Sequence, residues 1–62
     1  MELRDYMHYN RITIEAMAKQ LGVHPMYLSA IKNKKRKPSE DLACKIEILT
    51  GGEVTVKEIR RM

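Results

Sequence analysis

The residues of this chain best suited to chemistry are a run of cations: Lys32, Lys34, Lys35, Arg36 and Lys37 place five positive charges within six consecutive positions. Ammonium and guanidinium groups this close repel one another unless an anion lies across them, so the chemistry on offer is charge pairing with a polyanion. The charge is local. The other seven of the twelve basic residues are outweighed by eight acids, although the whole chain carries +4. No acid occurs from Ala16 to Ser39, so the stretch leading into the run repels no anion. Bond-making chemistry has far less behind it. His8 and His24 are distant in sequence, Cys44 is the single cysteine, and no paired carboxylates accompany them. Neither a metal site nor a nucleophile with its base is expected from such a set, so the chain reads as no enzyme, with no catalytic residue, metal or cofactor. His24 reads as a helix cap or phosphate neighbour, and His8 as a surface residue.

Two short helical segments must hold the cationic run in place. From Ile14 to Asn33 the chain reads IEAMAKQLGVHPMYLSAIKN. Met17, Ala18 and Leu21 share one helical face, with Ala18 small where a crossing helix must come close. Gly22 stands where the first segment must stop and the backbone must turn, a place that favours positive φ. Val23 plugs the corner. His24 and Pro25 then fit the cap and first position of a second helix, because proline lacks the N–H that would find no partner there. Leu28 and Ile31 return that helix to the core, which makes the unit a helix-turn-helix. At about 100° per residue, the side opposite Leu28 and Ile31 carries Met26, Ser29, Ala30 and Asn33. A plain helical hairpin would show the same apolar spacing. The neutral ridge running into a cationic shoulder is what points to a long anion such as duplex DNA.

Sixty-two residues make one domain. A chain of this size buries only about 60% of its unfolded surface, so the core must be small and mostly helical, or be completed by a partner. The first helix is expected over Met1 to Tyr9, with Leu3, Tyr6 and Met7 inward, and Thr13 as cap of the second, which runs to about Gln20. After Pro38, Ser39 caps a fourth helix whose inward stripe is expected to be Leu42, Ile46 and Leu49 flanked by Ala43, ending at Thr50, Gly51 and Gly52. Thr55 and Glu58 have the spacing of a capping box for a last short helix. Cys44 and Ile48 form a second apolar edge. Either the last helix covers it, or Ile48, Val54, Val56 and Ile59 make a self-complementary dimer contact. A lone cysteine fits a reducing compartment, no stretch approaches the roughly 18 apolar residues of a membrane span, and the mixed N-terminus is unlike a signal peptide, so a cytoplasmic protein is expected.

The segment AMAKQLGVHPMYLSAIKNKKRKPS resembles the lambda-repressor-like, or Xre/Cro, family of DNA-binding domains. The tail KIEILTGGEVTVKEIRRM is similar to the C-terminal half of its small Cro-type and YdaS-like phage members, in which TGG, then V, then a short helix is common. The resemblance covers Leu3 to about Arg60. It implies an all-α, compact bundle of four to five short helices, residues 1–62 forming a single DNA-binding domain with its helix-turn-helix at 14–33. It also implies a homodimer at least on DNA, a near-palindromic operator, and transcriptional repression in a prokaryotic cytoplasm or nucleoid. Its base-reading positions fall on Pro25, Met26, Ser29 and Ala30, with His24 at the helix start and phosphate binders around Asn33 to Lys37. Several positions depart from the family pattern. Ile14 stands where members often have Gln, Pro25, Met26 and Ala30 stand where polar residues are frequent, and a common Arg–Glu pair between helices 1 and 3 corresponds to Met7 and Lys32.

These residue types imply a particular division of labour on DNA. Asn33 is the candidate for adenine, Ser29 for a single hydrogen bond, and Met26 and Ala30 for thymine methyls. His24, Lys32, Lys34, Lys35, Arg36 and Lys37 are candidates for phosphate, and Tyr27 either bonds a phosphate or packs against helix 4 or the loop. Neutralising about four or five phosphates would give a log–log salt slope near −4 per monomer. A rival expectation is an antitoxin or adaptor that acts mainly on a protein, such as a cognate toxin.

Overall fold

Four of the five helices in this chain start where a side chain takes up an orphaned backbone N–H. Thr13 Oγ1 accepts from Ala16 N–H at 3.2 Å, Ser39 Oγ from Leu42 N–H at 3.2 Å, and His24 Nδ1 from Met26 N–H at 3.1 Å. Thr55 and Glu58 complete the expected capping box. In the computed structural model, which describes residues 1–61, the helices are α1 (Leu3–Tyr9), α2 (Ile14–Leu21), α3 (Pro25–Lys32), α4 (Glu40–Leu49) and α5 (Val56–Arg60). The described residues are all helix, turn and loop, and no helix among them is long and apolar enough to cross a membrane.

Their ends follow one pattern. After each of α1 to α4, a residue at positive φ turns the chain while the next N–H reaches back to a carbonyl of the last turn. The pairs are Ile12 to Met7, Val23 to Ala18, Lys35 to Ala30 and Gly52 to Glu47, at 2.8–3.0 Å. This is the Schellman closure, which favours glycine at the turning residue. Gly22 and Gly51 meet that demand, but Arg11 (φ 54°) and Lys34 (φ 61°) adopt the same left-handed backbone with a Cβ.

The core is assembled from one face of every helix: Leu3 and Met7 of α1, Met17, Ala18 and Leu21 of α2, Leu28 and Ile31 of α3, Leu42, Ala43 and Ile46 of α4, and Ile59 of α5. Ala18 and Ala43 are fully buried, which lets α2 and α4 cross closely. Two expectations need correcting. Leu49 is 38% exposed, and the inward position at the end of α4 is taken by Thr50, whose hydroxyl donates to Ile46 O at 2.8 Å and accepts from Val54 N–H at 3.1 Å. That bond folds the chain back after the Gly51–Gly52 turn and drives Val54 (0% exposed) and Ile59 (6%) into the core. These two therefore face inward and are absent from any dimer surface of the folded chain. Val56 is half-buried, Ile48 is 79% exposed and Cys44 is exposed, so α5 does not cover the second edge of α4.

Candidate nucleic-acid interface

The turn between α2 and α3 sets the direction of everything that follows. Gly22 caps α2 at φ 72°, and Val23 packs against the core as a partly buried plug. The bond from Met26 N–H to His24 Nδ1 occupies one imidazole nitrogen as the cap of α3, so His24 serves the fold first. With Leu28 and Ile31 held inside, the opposite side of α3 has one orientation open to it. Met26 is 76% exposed, Asn33 is exposed, and Pro25, Ser29 and Ala30 are half-buried. The sequence-predicted ridge thus lies at the surface as one strip, and it contains no charge.

Tyr27 borders this strip. Its ring packs against the core, and the Arg36 guanidinium sits over it, 5.2 Å from the ring centre. That is cation–π range. Of its two expected roles, packing is the one the geometry provides, and it also places Arg36 beside α3. Lys35 and Lys37 are exposed in the same loop, which Pro38 anchors by burying its ring.

Lys34 is different in where its side chain goes. The left-handed backbone turns its side chain away from the loop and toward the chain ends. Nζ lies 2.7 Å from Glu2 Oε2 and donates to the carbonyls of Glu58 at 3.2 Å and Arg61 at 3.3 Å. An ammonium has three protons, and three acceptors take them. The same corner holds the Met1 ammonium, 2.6 Å from Glu58 Oε2. That ammonium first, then the Thr55 N–H and hydroxyl, hold the Glu58 carboxyl down to about 2. Lys34 therefore ties the basic loop to both ends of the described chain, while Lys35, Arg36 and Lys37 stay exposed and Lys32 is half-buried beside α1.

Asn33 stands where the ridge meets a neighbouring cleft. As the residue that closes α3, it lines a cleft with Glu2, Arg4, Asp5, Lys32 and Lys34, on the α1 side of the ridge. Arg4 was not singled out by sequence. The signal was present in its i, i+4 spacing to His8 on the outer side of α1.

Residues 10–59 match a family model described as helix-turn-helix. No curated protein and no solved structure matches the chain. The matched segment contains α2, the Gly22 turn, α3, the basic loop, α4 and nearly all of α5. With that match spanning most of its length, and five helices arranged around a surface-bound α3, the chain belongs to the lambda-repressor-like (Xre) helix-turn-helix family of DNA-binding regulatory domains.

Proposed function

We propose that this domain represses transcription in the Cro/Xre manner, as a homodimer on a near-palindromic operator with α3 in the major groove. The observation that supports the reading best is the uncharged ridge of Met26, Ser29, Ala30 and Asn33, exposed beside the cations of Lys35, Arg36 and Lys37. A major groove about 12 Å wide admits one helix, and α3 is the helix whose outer side carries no charge that phosphates would repel. Met26 and Ala30 meet thymine methyls, Ser29 makes a single bond, and Pro25 brings the helix start close to the base edges. Few bidentate readers are present, so discrimination within a half-site is modest and depends on half-site spacing and DNA shape. Affinity comes from the loop. With Lys34 engaged internally, three or four phosphates are neutralised per monomer, for a salt slope of about −3.

Ile48 supports a protein contact as well. It is exposed, and with Leu21, Leu49, Gln20 and Lys45 it lines a shallow apolar groove between α2 and α4. A second copy of the chain is the occupant in the repressor reading, and a cognate toxin the occupant in the antitoxin reading. Selection of genomic DNA fragments at moderate salt tests the proposal. Recovery of one sequence with inverted half-sites about one helical turn apart supports it. Recovery of random fragments only would overturn it and favour the protein-binding role.

A further inference from the structure

The ridge on α3 has two flanks, and only one of them is formed by the basic loop. At about 100° per residue, Tyr27 falls about 60° beyond Ala30 on the Ile31 side, whereas Lys32 falls about 60° beyond Ser29 on the Leu28 side. Tyr27 carries Arg36, so the first flank belongs to the loop. Lys32 belongs to the second flank, and there it meets α1. A cleft of about 410 Å³ lies between them, with Arg4, His8, Lys32 and Asp5 around a floor that includes Met7 and Ile14. It adjoins the smaller cleft that holds Asn33, sharing Arg4, Asp5 and Lys32 with it. The two clefts thus continue the edge of the ridge onto α1.

The charges in this cleft have no use inside the folded chain. Arg4, His8 and Lys32 make no ion pair among the described residues, and neither does Asp5. Arg4 and His8 are exposed, and Lys32 is half-buried. This contrasts with Lys34, whose ammonium meets three acceptors in the neighbouring corner.

A helix lying in a major groove has a phosphate strand on each side. The loop cations lie toward one strand. We propose that the α1 cleft takes a backbone phosphate of the other strand, with Arg4 and Lys32 as its cationic contacts and His8 as a further donor. DNA rather than a small anion is the occupant because the cleft is continuous with the ridge and flanks it on the side the loop leaves open. Asp5 opposes the phosphate and tempers the affinity of this flank. The inference rests on the major-groove reading of α3 and adds to it a second point of attachment, on a helix outside the helix-turn-helix.

The test is fluorescence anisotropy of a labelled mixed-sequence duplex, titrated with the intact chain over a series of salt concentrations. Phosphate contacts do not depend on sequence, so no operator is needed. Arg4→Gln is expected to weaken binding severalfold and lower the salt slope by about 0.9, and Asp5→Asn to tighten binding at low salt. Lys57→Gln, at an exposed position of α5 that lines neither cleft, should leave both unchanged. Arg4 is exposed and unpaired, so its variant keeps the fold, which a far-UV circular dichroism melt verifies; the gain from Asp5→Asn provides a second reading that loss of structure cannot mimic. If the wild-type chain binds with a clear salt slope while Arg4→Gln and Asp5→Asn both match it, the α1 contact is overturned and the α3 reading stands. A wild-type chain that binds no duplex overturns both.

Discussion

Lys34 offers the sharpest separation between what holds the fold and what meets DNA. Its backbone lies at φ 61°, which costs a residue with a Cβ about 1 kcal/mol relative to glycine. Its ammonium makes one ion pair with Glu2, where both side chains are more than a third exposed, and two hydrogen bonds to carbonyls at exposed positions. Solvent screening limits the ion pair to about 0.2–1 kcal/mol, and the whole clamp to about 1–2 kcal/mol. Lys34→Ala loses the clamp and keeps the strain, so it should lose about 1–2 kcal/mol. Lys34→Gly loses the clamp and relieves the strain, so it should fall within about 1 kcal/mol of wild type. In a domain of this size each kcal/mol moves Tm by about 4–8 °C, so the glycine variant should melt clearly above the alanine variant. DNA binding gives the second half of the test. Lys34→Gln should leave the salt slope nearly unchanged, while Lys35→Gln, Arg36→Gln and Lys37→Gln each lower it by about 0.9. Equal melting of the glycine and alanine variants, or a slope for Lys34→Gln as low as that for Lys35→Gln, would refute the reasoning.

Three further outcomes follow from the same geometry. Thr50→Val keeps the shape but removes the acceptor for the buried Val54 N–H, and urea denaturation should show a loss of about 1–3 kcal/mol; no loss would mean the Gly51–Gly52 turn closes without that bond. Gly22→Ala should cost about 1–2 kcal/mol through backbone conformation alone, because a Cβ there meets nothing within 4 Å, and a neutral result would sink the left-handed assignment. Glu58 has a folded-state value of about 2, below its ordinary 4.5, so its contribution to stability is complete above the ordinary value and is lost as pH falls toward 2. Stability of wild type measured from neutral to low pH should therefore drop more steeply in that window than stability of Glu58→Gln, and parallel profiles would contradict the bond to the Met1 ammonium.

Much of the frame was legible because local rules and packing agree along the chain. Thr13, Ser39 and the Thr55–Glu58 pair announce helix starts by chemistry that acts within three residues, and Gly22 and Pro25 mark both sides of the turn. The apolar spacing of α2 and α3 translated directly into buried faces. The misreadings share a cause, which is that they depend on where the chain goes next. Leu49 fits the periodicity of α4, but the buried place in the last turn goes to Thr50, whose hydroxyl satisfies the turn that follows. Val54 and Ile59 look like surface hydrophobics until the direction of that turn is known. A run of lysines likewise does not disclose which member sits at positive φ. Charge alone groups Lys34 with its neighbours, while one backbone angle sends its ammonium to Glu2. Arg4 escapes the sequence pattern for the complementary reason, since its cleft exists only once α1 lies beside the end of α3.

In the proposed complex the uncharged outer side of α3 lies against DNA. The most direct test of that contact is the duplex affinity of Ser29→Glu, which sets one negative charge in the middle of the ridge at a half-buried position that no core contact requires. A loss of affinity of at least about tenfold, equal to about 1.4 kcal/mol, is expected, with unchanged helical content and melting. Wild-type affinity in a folded Ser29→Glu variant would contradict it.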